Sequence, residues 1–215
     1  MERLNDADIP FVLVGGVAVP FYLTDDLAGH VRPTKDIDVI VAAANLPQFD
    51  RVEERLRRFG FVNHPEIRHR WLLGTTLIDV MPAQSDVMVT INRWYPSTFD
   101  TAEVIEIASG HGVRIASPAC FLATKMEAFF NRGRGDFLAS HDLEDFVAVI
   151  DGRQSIIEDV AGNCPPDVRD FLRVSVKQLL ENRAFLDALE GYLPPNYRTE
   201  DRLRELRARL AKFIE

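Results

Sequence analysis

The stretch Phe11–Val41, FVLVGGVAVPFYLTDDLAGHVRPTKDIDVIV, decides the fold that this sequence predicts. Its apolar start, FVLV, indicates a short buried strand, and Gly15-Gly16 then forms a turn before an apolar, helix-like run. A polar loop leads to a second strand, DIDVIV, which carries Asp36 and Asp38. Alternate residues of a strand point to the same side of a sheet, so these two carboxylates are expected to lie next to each other.

This arrangement of acidic and glycine residues is typical of a site for a cation and a phosphate. Two carboxylates held close together destabilise each other unless a cation lies between them. Magnesium is usually bound by one or two carboxylates together with the phosphates of a substrate. The Gly15-Gly16 turn supplies the complementary half, because unblocked backbone N–H groups at the start of a helix attract anions.

A third carboxylate stands in a separate apolar strand. Asp79 lies in TTLIDVM between two β-branched apolar residues. A buried aspartate is costly unless it is paired or binds a metal ion, so we expect Asp79 to complete a site with Asp36 and Asp38. The alternative is a strand-end aspartate that caps a neighbouring turn.

The rest of the chain alternates between turn residues and periodic apolar segments. Predicted helices span about residues 45–58, 117–131, 141–150, 165–189 and 199–214, and further strands span about residues 66–73, 75–81, 102–108 and 113–116. Strands mixed with helices and followed by helices alone predict an α/β (α+β) fold. Its small mixed sheet is flanked by helices and extended by a C-terminal helical region.

Composition limits the classes of protein to consider. A hydrophobic content of 47% and a charged content of 27% are ordinary for a soluble globular protein. The net charge of −8 argues against a general nucleic-acid binder and favours a cationic small-molecule partner. The two cysteines lack metal-site spacing, no signal peptide is evident, and the longest apolar run, 11–23, is too short to span a membrane. We therefore expect a cytoplasmic protein without a membrane partner.

The residues of the first three paragraphs resemble those of a known superfamily. Gly15-Gly16, Asp36-x-Asp38 and the strand aspartate Asp79 resemble the nucleotidyltransferases of the DNA polymerase β type. Members share a small α/β core in which three carboxylates hold two divalent metal ions. We expect two regions, a nucleotidyltransferase catalytic core at residues 1–116 and a helical C-terminal region at 117–215 that packs on it.

The same resemblance assigns roles to individual residues. It implies a nucleoside triphosphate (NTP) as substrate and two Mg²⁺ or Mn²⁺ ions as cofactors. The implied metal ligands and catalytic carboxylates are Asp36, Asp38 and Asp79. The implied nucleotide-binding residues are Gly15, Gly16, Arg32, Lys35 and Lys125.

The C-terminal half resembles one subgroup, the AbiEii-type nucleotidyltransferases, many of which are toxins of bacterial toxin–antitoxin pairs. The resemblance rests on Lys125 in ATKMEAFFNRGRGD and on Asp142 with Asp145 in SHDLEDFVAVI, and it covers roughly residues 8–152. His141 departs from it, because the subgroup typically has lysine there. The subgroup implies that Lys125 reaches the triphosphate and that Asp142 belongs to the catalytic set.

Simpler structural roles also explain the residues of this half. A solvated lysine accounts for Lys125, and Asp142 in the first turn of a helix is favoured by the helix dipole. In the glycine-rich loop, Arg132 or Arg134 is a candidate phosphate contact, although a solvated loop fits equally well.

Three hypotheses about the acceptor follow. The toxin resemblance predicts an RNA 3′ end, most readily tRNA, and an antitoxin protein as partner. The acidic composition predicts a cationic small molecule, such as an aminoglycoside, as the alternative acceptor. The third hypothesis is a catalytically silent nucleotide-binding module, and the complete set of three aspartates argues against it.

Overall fold

The chain forms two compact units. The computed structural model describes residues 2–25, 31–84, 92–107, 110–133, 135–162 and 164–214. The first unit, here called the sheet unit, comprises Met1–Ala18 and Pro33–Ser117, and the second, the helical unit, comprises Val19–Arg32 and Pro118–Glu215. Among the described residues, no helix combines the length and the apolar character that crossing a membrane requires.

A single mixed sheet organises the sheet unit. In the described part of the chain it has seven strands: β1 (Phe11–Val14), β2 (Asp36–Val41), β3 (Val62–Asn63), β4 (Arg70–Leu73), β5 (Thr76–Pro82), β6 (Glu103–Glu106) and β7 (Gly112–Ile115). Their order across the sheet is β3-β4-β5-β2-β1-β7-β6. Strand β2 runs parallel to β5 and antiparallel to β1, so the strand that carries two aspartates lies in the middle of the sheet.

The two halves of β2 differ in burial. Val39, Ile40 and Val41 are completely buried, whereas the first half of the strand, DID, is only partly buried. The apolar half therefore anchors the strand in the core by the hydrophobic effect. The acidic half remains accessible at the start of the strand.

Three α-helices accompany the sheet within the described part of this unit: α1 (Glu2–Asp6), α2 (Leu46–Arg58) and α3 (Tyr95–Asp100). Helix α2 begins as predicted, because the side chain of Asn45 accepts a hydrogen bond from the backbone N–H of Gln48. Phe49 and Leu56, one heptad apart, are fully buried on its inner face.

The segment after the glycine pair differs from the predicted helix. Gly16–Phe21 is a six-residue 3₁₀ helix that contains Pro20. Proline has no backbone N–H and its ring clashes with the preceding turn, so an α-helix does not continue through this position. The glycine pair is therefore followed by a short 3₁₀ helix in place of a full α-helix, and the nucleotide-binding role of Gly15 and Gly16 stays a prediction.

The helical unit contains the remaining helices of the described chain. These are α4 (Pro118–Arg132), α5 (His141–Gly152), α6 (Ile156–Gly162), α7 (Pro166–Leu180), α8 (Arg183–Ala188) and α9 (Glu200–Lys212), with 3₁₀ turns at Leu189–Tyr192 and Pro195–Tyr197. The single helix predicted over 165–189 is wrong. Helix α7 ends at Leu180, and Asn182 starts α8 by accepting hydrogen bonds from the backbone N–H groups of Ala184 and Phe185.

The strand predicted over 66–73 is also too long. Strand β4 begins only at Arg70, because the backbone N–H of Glu66 bonds back to His64 Nδ1 and that of Arg70 bonds back to the carbonyl of Ile67, which makes this segment a turn. Helices α3 and α6 were not predicted, and residues 85–91 of the connection before α3 lie outside the described residues. The predicted fold class, a mixed sheet with flanking helices, is confirmed.

Candidate functional site

Three aspartates share one face of the sheet at the start of β2. Asp38 is the register partner of Asp79 on the parallel strand β5, and Asp36 lies two residues before Asp38 on the same strand. Register partners and alternate residues point to the same side of a sheet. Asp79 is buried, whereas Asp36 and Asp38 are partly exposed, so the carboxylates extend from the core to the surface.

A guanidinium group lies among these carboxylates. Arg70 on β4 is the register partner of Asp79 and donates two hydrogen bonds to it, from Nε to Oδ1 at 2.8 Å and from Nη2 to Oδ2 at 2.7 Å. The same Nη2 also reaches Oδ2 of Asp36 at 3.4 Å. Hydrogen bonding to Asp79 is the largest cause of a raised pKa of Arg70. The acidic face thus holds one permanent cation.

The sequence contains a signal for Arg70 in the hairpin that precedes Asp79. The tight turn at Gly74 pairs Leu73 with Thr76, and counting outward along this hairpin pairs residue 70 with residue 79. A basic residue opposite a strand aspartate is a stabilising cross-strand pair. Arg70 is therefore predictable once the hairpin register is written down, although the superfamily motif does not contain it.

Gly15 brings the backbone against the second aspartate. Its φ of +70° lies in the left-handed region, and a Cβ at this position would lie 1.9 Å from Oδ2 of Asp38. No other residue fits here without displacing the carboxylate. Asp36 is held from the other side, because Thr34 Oγ1 donates a hydrogen bond of 3.1 Å to its Oδ1. Gly16 is buried at the start of the 3₁₀ helix.

Gly15→Ala tests this close approach. We expect it to lower the free energy of unfolding by at least about 2 kcal/mol, since it adds a clash with Asp38 to the strain of a left-handed backbone. Gly74→Ala is the matched control, because Gly74 has a φ of +62° and no atom within 4 Å of a Cβ. It should lower stability by only about 1 kcal/mol. Equal losses in chemical denaturation would show that Asp38 moves aside freely.

The donor set of the sheet unit suits a hard divalent cation. Carboxylate oxygens are the ligands that Mg²⁺ and Mn²⁺ prefer, and the guanidinium of Arg70 shows that this face already holds a positive group. Over the described residues, no three Asp, Glu, His or Cys side chains are arranged as a ready metal site. The carboxylate oxygens of Asp36, Asp38 and Asp79 are therefore suitable ligands for a metal ion. Arg70 is hydrogen-bonded to both oxygens of Asp79 and to one of Asp36.

The second group of predicted residues meets inside the helical unit. Lys125 on α4 and Asp145 on α5 are both buried, and Lys125 Nζ donates to Oδ2 of Asp145 at 2.6 Å. Asp142, one turn earlier on α5, lies 3.6 Å from the same ammonium group through its Oδ1. Lys125 is thus neither solvated nor free, and its charge is neutralised by two carboxylates.

Two arginines complete this charge network. Arg32 donates from Nε and Nη2 to the two carboxylate oxygens of Asp145 at 3.0 and 3.1 Å. Arg132 makes the same two-pronged contact with Asp142, with both distances at 2.9 Å. Burial alone would raise the pKa of Asp142, but hydrogen bonds from Arg132 and the charge of Lys125 outweigh it and lower that pKa.

The chain has only limited similarity to known proteins. No protein-family profile and no curated protein sequence matches the chain. Among solved structures, the solution structure of the antibiotic-resistance factor ANT(2'')-Ia aligns with 84% of this chain. The alignment covers 90% of that protein, at 19% identity and a TM-score of 0.47. Its crystal structure with adenylyl-2''-tobramycin aligns over 69% and 82%, at 16% identity and a TM-score of 0.43.

A CCA-adding enzyme in complex with ATP also aligns with the chain. The alignment covers 100% of this chain and 64% of that enzyme, at 13% identity and a TM-score of 0.27. TM-scores below 0.5 are too low to carry an argument about function.

The lowered pKa of Asp142 predicts a pH dependence of stability. A carboxyl group whose pKa is lower in the folded than in the unfolded chain stabilises the fold above the unfolded value, and this contribution is lost as the pH falls through the folded value. Asp142→Asn should therefore destabilise the protein by about 1–3 kcal/mol at pH 7. The difference from the wild type should shrink below about pH 4, the range where an aspartate titrates in the unfolded chain.

Chemical denaturation of both proteins between pH 7 and pH 3 measures this difference. A gap between Asp142→Asn and the wild type that stays constant over this range would contradict the ion pairs of Asp142 with Arg132 and Lys125.

The predicted site residues thus fall into two groups. The sheet unit holds Asp36, Asp38, Asp79, Gly15, Gly16 and Lys35, and the helical unit holds Arg32, Lys125 and Asp142. Lys35 is exposed next to Asp36, whereas Arg32 is engaged by Asp145. Arg134, a candidate phosphate contact, lies outside the described residues.

Proposed function

We propose that this protein is a nucleotidyltransferase that moves a nucleoside monophosphate from an NTP to a hydroxyl group. One observation carries the proposal: Asp36, Asp38 and Asp79 share one face of the sheet, with Asp38 and Asp79 in direct register. Three carboxylates on adjacent strands are costly to hold together unless they bind cations. The backbone of Gly15 also lies against Asp38, at the same point of the sheet.

In the proposed reaction, the acceptor hydroxyl oxygen attacks the α-phosphorus of the NTP. A new bond forms between that oxygen and the phosphorus, the bond from the α-phosphorus to the bridging oxygen breaks, and pyrophosphate leaves with the bond electrons. Bound divalent cations would lower the pKa of the hydroxyl and neutralise charge on the leaving group. Most of the rate enhancement then comes from positioning and electrostatics.

The residues of the chain have distinct roles in this scheme. Asp36 and Asp38 would hold both cations, and Asp79 would hold one of them and accept the proton that the hydroxyl releases. Lys35, which is exposed beside Asp36, can reach a phosphate from the edge of the site. Lys125 and Asp142 keep the roles that the subgroup resemblance implies only if the carboxylates that neutralise Lys125 give way to phosphate.

For the acceptor, we propose first an RNA 3′ end, with the protein acting as the toxin of a toxin–antitoxin pair. This proposal is supported by the three residues that resemble the AbiEii subgroup, because Lys125 contacts both Asp142 and Asp145. Residues of one motif that contact each other are more consistent with a shared function than residues that lie far apart. An antitoxin protein is the partner that this assignment implies.

A cationic small molecule is the second candidate acceptor. The observation that favours it is the net charge of −8, which attracts cations and repels the RNA backbone. An aminoglycoside has the required hydroxyl and ammonium groups.

Labelled nucleotides separate these possibilities. Purified protein is incubated with each α-labelled NTP, with Mg²⁺ or Mn²⁺, and with either total bacterial RNA or a set of aminoglycosides. The doubly substituted Asp36→Ala, Asp38→Ala protein is the blank. Label in RNA with the wild type alone supports RNA nucleotidyl transfer and identifies the base, whereas label in an aminoglycoside moves the assignment to small-molecule modification.

Absence of label in both acceptors, with every NTP and both metals, would contradict nucleotidyl transfer. A catalytically silent nucleotide-binding module would then be the better description of the chain.

A further inference from the structure

Arg70 is a cation of the candidate site that neither the composition nor the superfamily motif indicated. Its side chain is 25% exposed, and its guanidinium spans two of the three aspartates, with both of its close contacts on Asp79. A two-pronged arginine–carboxylate contact is among the stronger polar interactions in proteins and fixes both groups in one plane. Arg70 therefore occupies both oxygens of the most buried carboxylate of the site.

We propose that Arg70 is an exchangeable counter-cation, which occupies the carboxylates of Asp79 and Asp36 in the metal-free protein and must leave them before a divalent ion binds. This inference rests on the proposed metal site and goes beyond it, because it concerns a residue outside the nucleotidyltransferase motif. The guanidinium offsets the repulsion between the carboxylates of Asp79 and Asp36.

The energetics of the exchange follow from the contacts. A cation that coordinates Asp79 needs oxygen lone pairs that the Nε–H and Nη2–H groups of Arg70 occupy, at 2.8 and 2.7 Å. The guanidinium and the metal ion also repel each other, and the repulsion is strong because the site is partly buried. A metal ion that binds Asp79 must therefore displace at least one of these two charge-assisted hydrogen bonds, which weakens the affinity of the site for that ion.

Arg70 therefore controls how readily a divalent metal ion binds to the three aspartates. A guanidinium released from Asp79 remains charged and lies next to the place where the phosphates of a substrate are proposed to bind. Its planar set of donors matches phosphate oxygens as well as carboxylates. Metal loading is then favoured when an anionic substrate is present to receive the released group.

Direct binding of Mn²⁺ tests the exchange without any enzyme assay. The loss of the free Mn²⁺ signal in electron paramagnetic resonance is titrated for the wild type, for Arg70→Gln and for Arg58→Gln. The last is the matched control, because Arg58 is exposed on α2 and pairs with Glu54 on the same helix. Arg70→Gln should bind Mn²⁺ at least about tenfold more tightly than the wild type, the equivalent of one charge-assisted hydrogen bond.

The control should change the Mn²⁺ affinity by less than about twofold, because a distant exposed charge is screened by solvent and salt. Equal or weaker binding of Mn²⁺ by Arg70→Gln, in a wild type that does bind the ion, overturns the exchange and leaves the metal site intact. No Mn²⁺ binding by wild type and Arg70→Gln, both shown to be folded by circular dichroism, overturns the metal site and the exchange together.

Thermal unfolding gives an independent readout. Without metal, Arg70→Gln should have a lower melting temperature than the wild type, because Asp79 and Asp36 then lack the guanidinium, and saturating Mn²⁺ should reduce this difference. A difference in melting temperature that Mn²⁺ leaves unchanged contradicts the proposal. If Arg70→Gln fails to fold, Arg70→Lys replaces it, since lysine keeps the charge without the two-pronged contact. It should bind Mn²⁺ more tightly than the wild type by a smaller factor, and equal or weaker binding overturns the exchange.

Discussion

Asp38→Asn is expected to reduce nucleotidyl transfer by about 100- to 1,000-fold while the protein stays folded. Asp38 is central to the proposed site, since it pairs in register with Asp79 on one side and lies against Gly15 on the other. Asparagine keeps the size of the side chain but removes a charged oxygen ligand, so the cations proposed to lie there would bind weakly. The measurement is kcat/KM for label transfer at saturating Mg²⁺.

Asp50→Asn is the matched control for this prediction. Asp50 lies on α2 of the same unit, its side chain is 56% exposed, and it pairs with Arg68 at the surface. The same chemical change there should leave kcat/KM within about twofold, because exposed ion pairs contribute little. Activity of Asp38→Asn equal to that of Asp50→Asn would remove Asp38 from the site.

Asp145→Asn is expected to lower the free energy of unfolding by about 3–5 kcal/mol. The Asp145 side chain is only 2% exposed, and it neutralises both Lys125 and Arg32 at distances between 2.6 and 3.0 Å. Loss of its charge leaves two cations near each other with less compensation in a low-dielectric environment. Unfolding in guanidinium chloride, followed by circular dichroism, measures the change.

Asp187→Asn makes the same substitution in an exposed ion pair of the helical unit. Arg183 and Asp187 are 87% and 60% exposed, so this control should change stability by less than about 1 kcal/mol. A loss for Asp145→Asn as small as that of the control would mean that the charge network of the helical unit is not needed for folding. Lys125 would then be available for a role with substrate.

The fold was predictable from local patterns wherever those patterns were complete. Asn45 and the buried positions of α2 specified that helix, and the turn at Gly74 specified the hairpin of β4 and β5. Prediction failed where a side chain interrupts a periodic segment. Asn182 has no such signal in the apolar spacing of 165–189, yet its side chain begins α8 two residues after α7 ends.

For the candidate site, spacing indicated which residues carry charge but not which charges meet. Alternation along a strand placed Asp36 and Asp38 on one side, and the register with β5 that adds Asp79 is a long-range property. Lys125 shows the limit more clearly. Its helix was predicted, but its burial against Asp145 depends on the packing of α4 with α5, which no local pattern records.

The most direct test of the central claim is anomalous diffraction at the manganese edge, from crystals grown with Mn²⁺ and a non-hydrolysable NTP analogue. We expect anomalous peaks coordinated by Asp36, Asp38 and Asp79, with the guanidinium of Arg70 displaced from Asp79. Crystals that contain the analogue but show Arg70 still bound to Asp79, and no manganese at this face of the sheet, would contradict it.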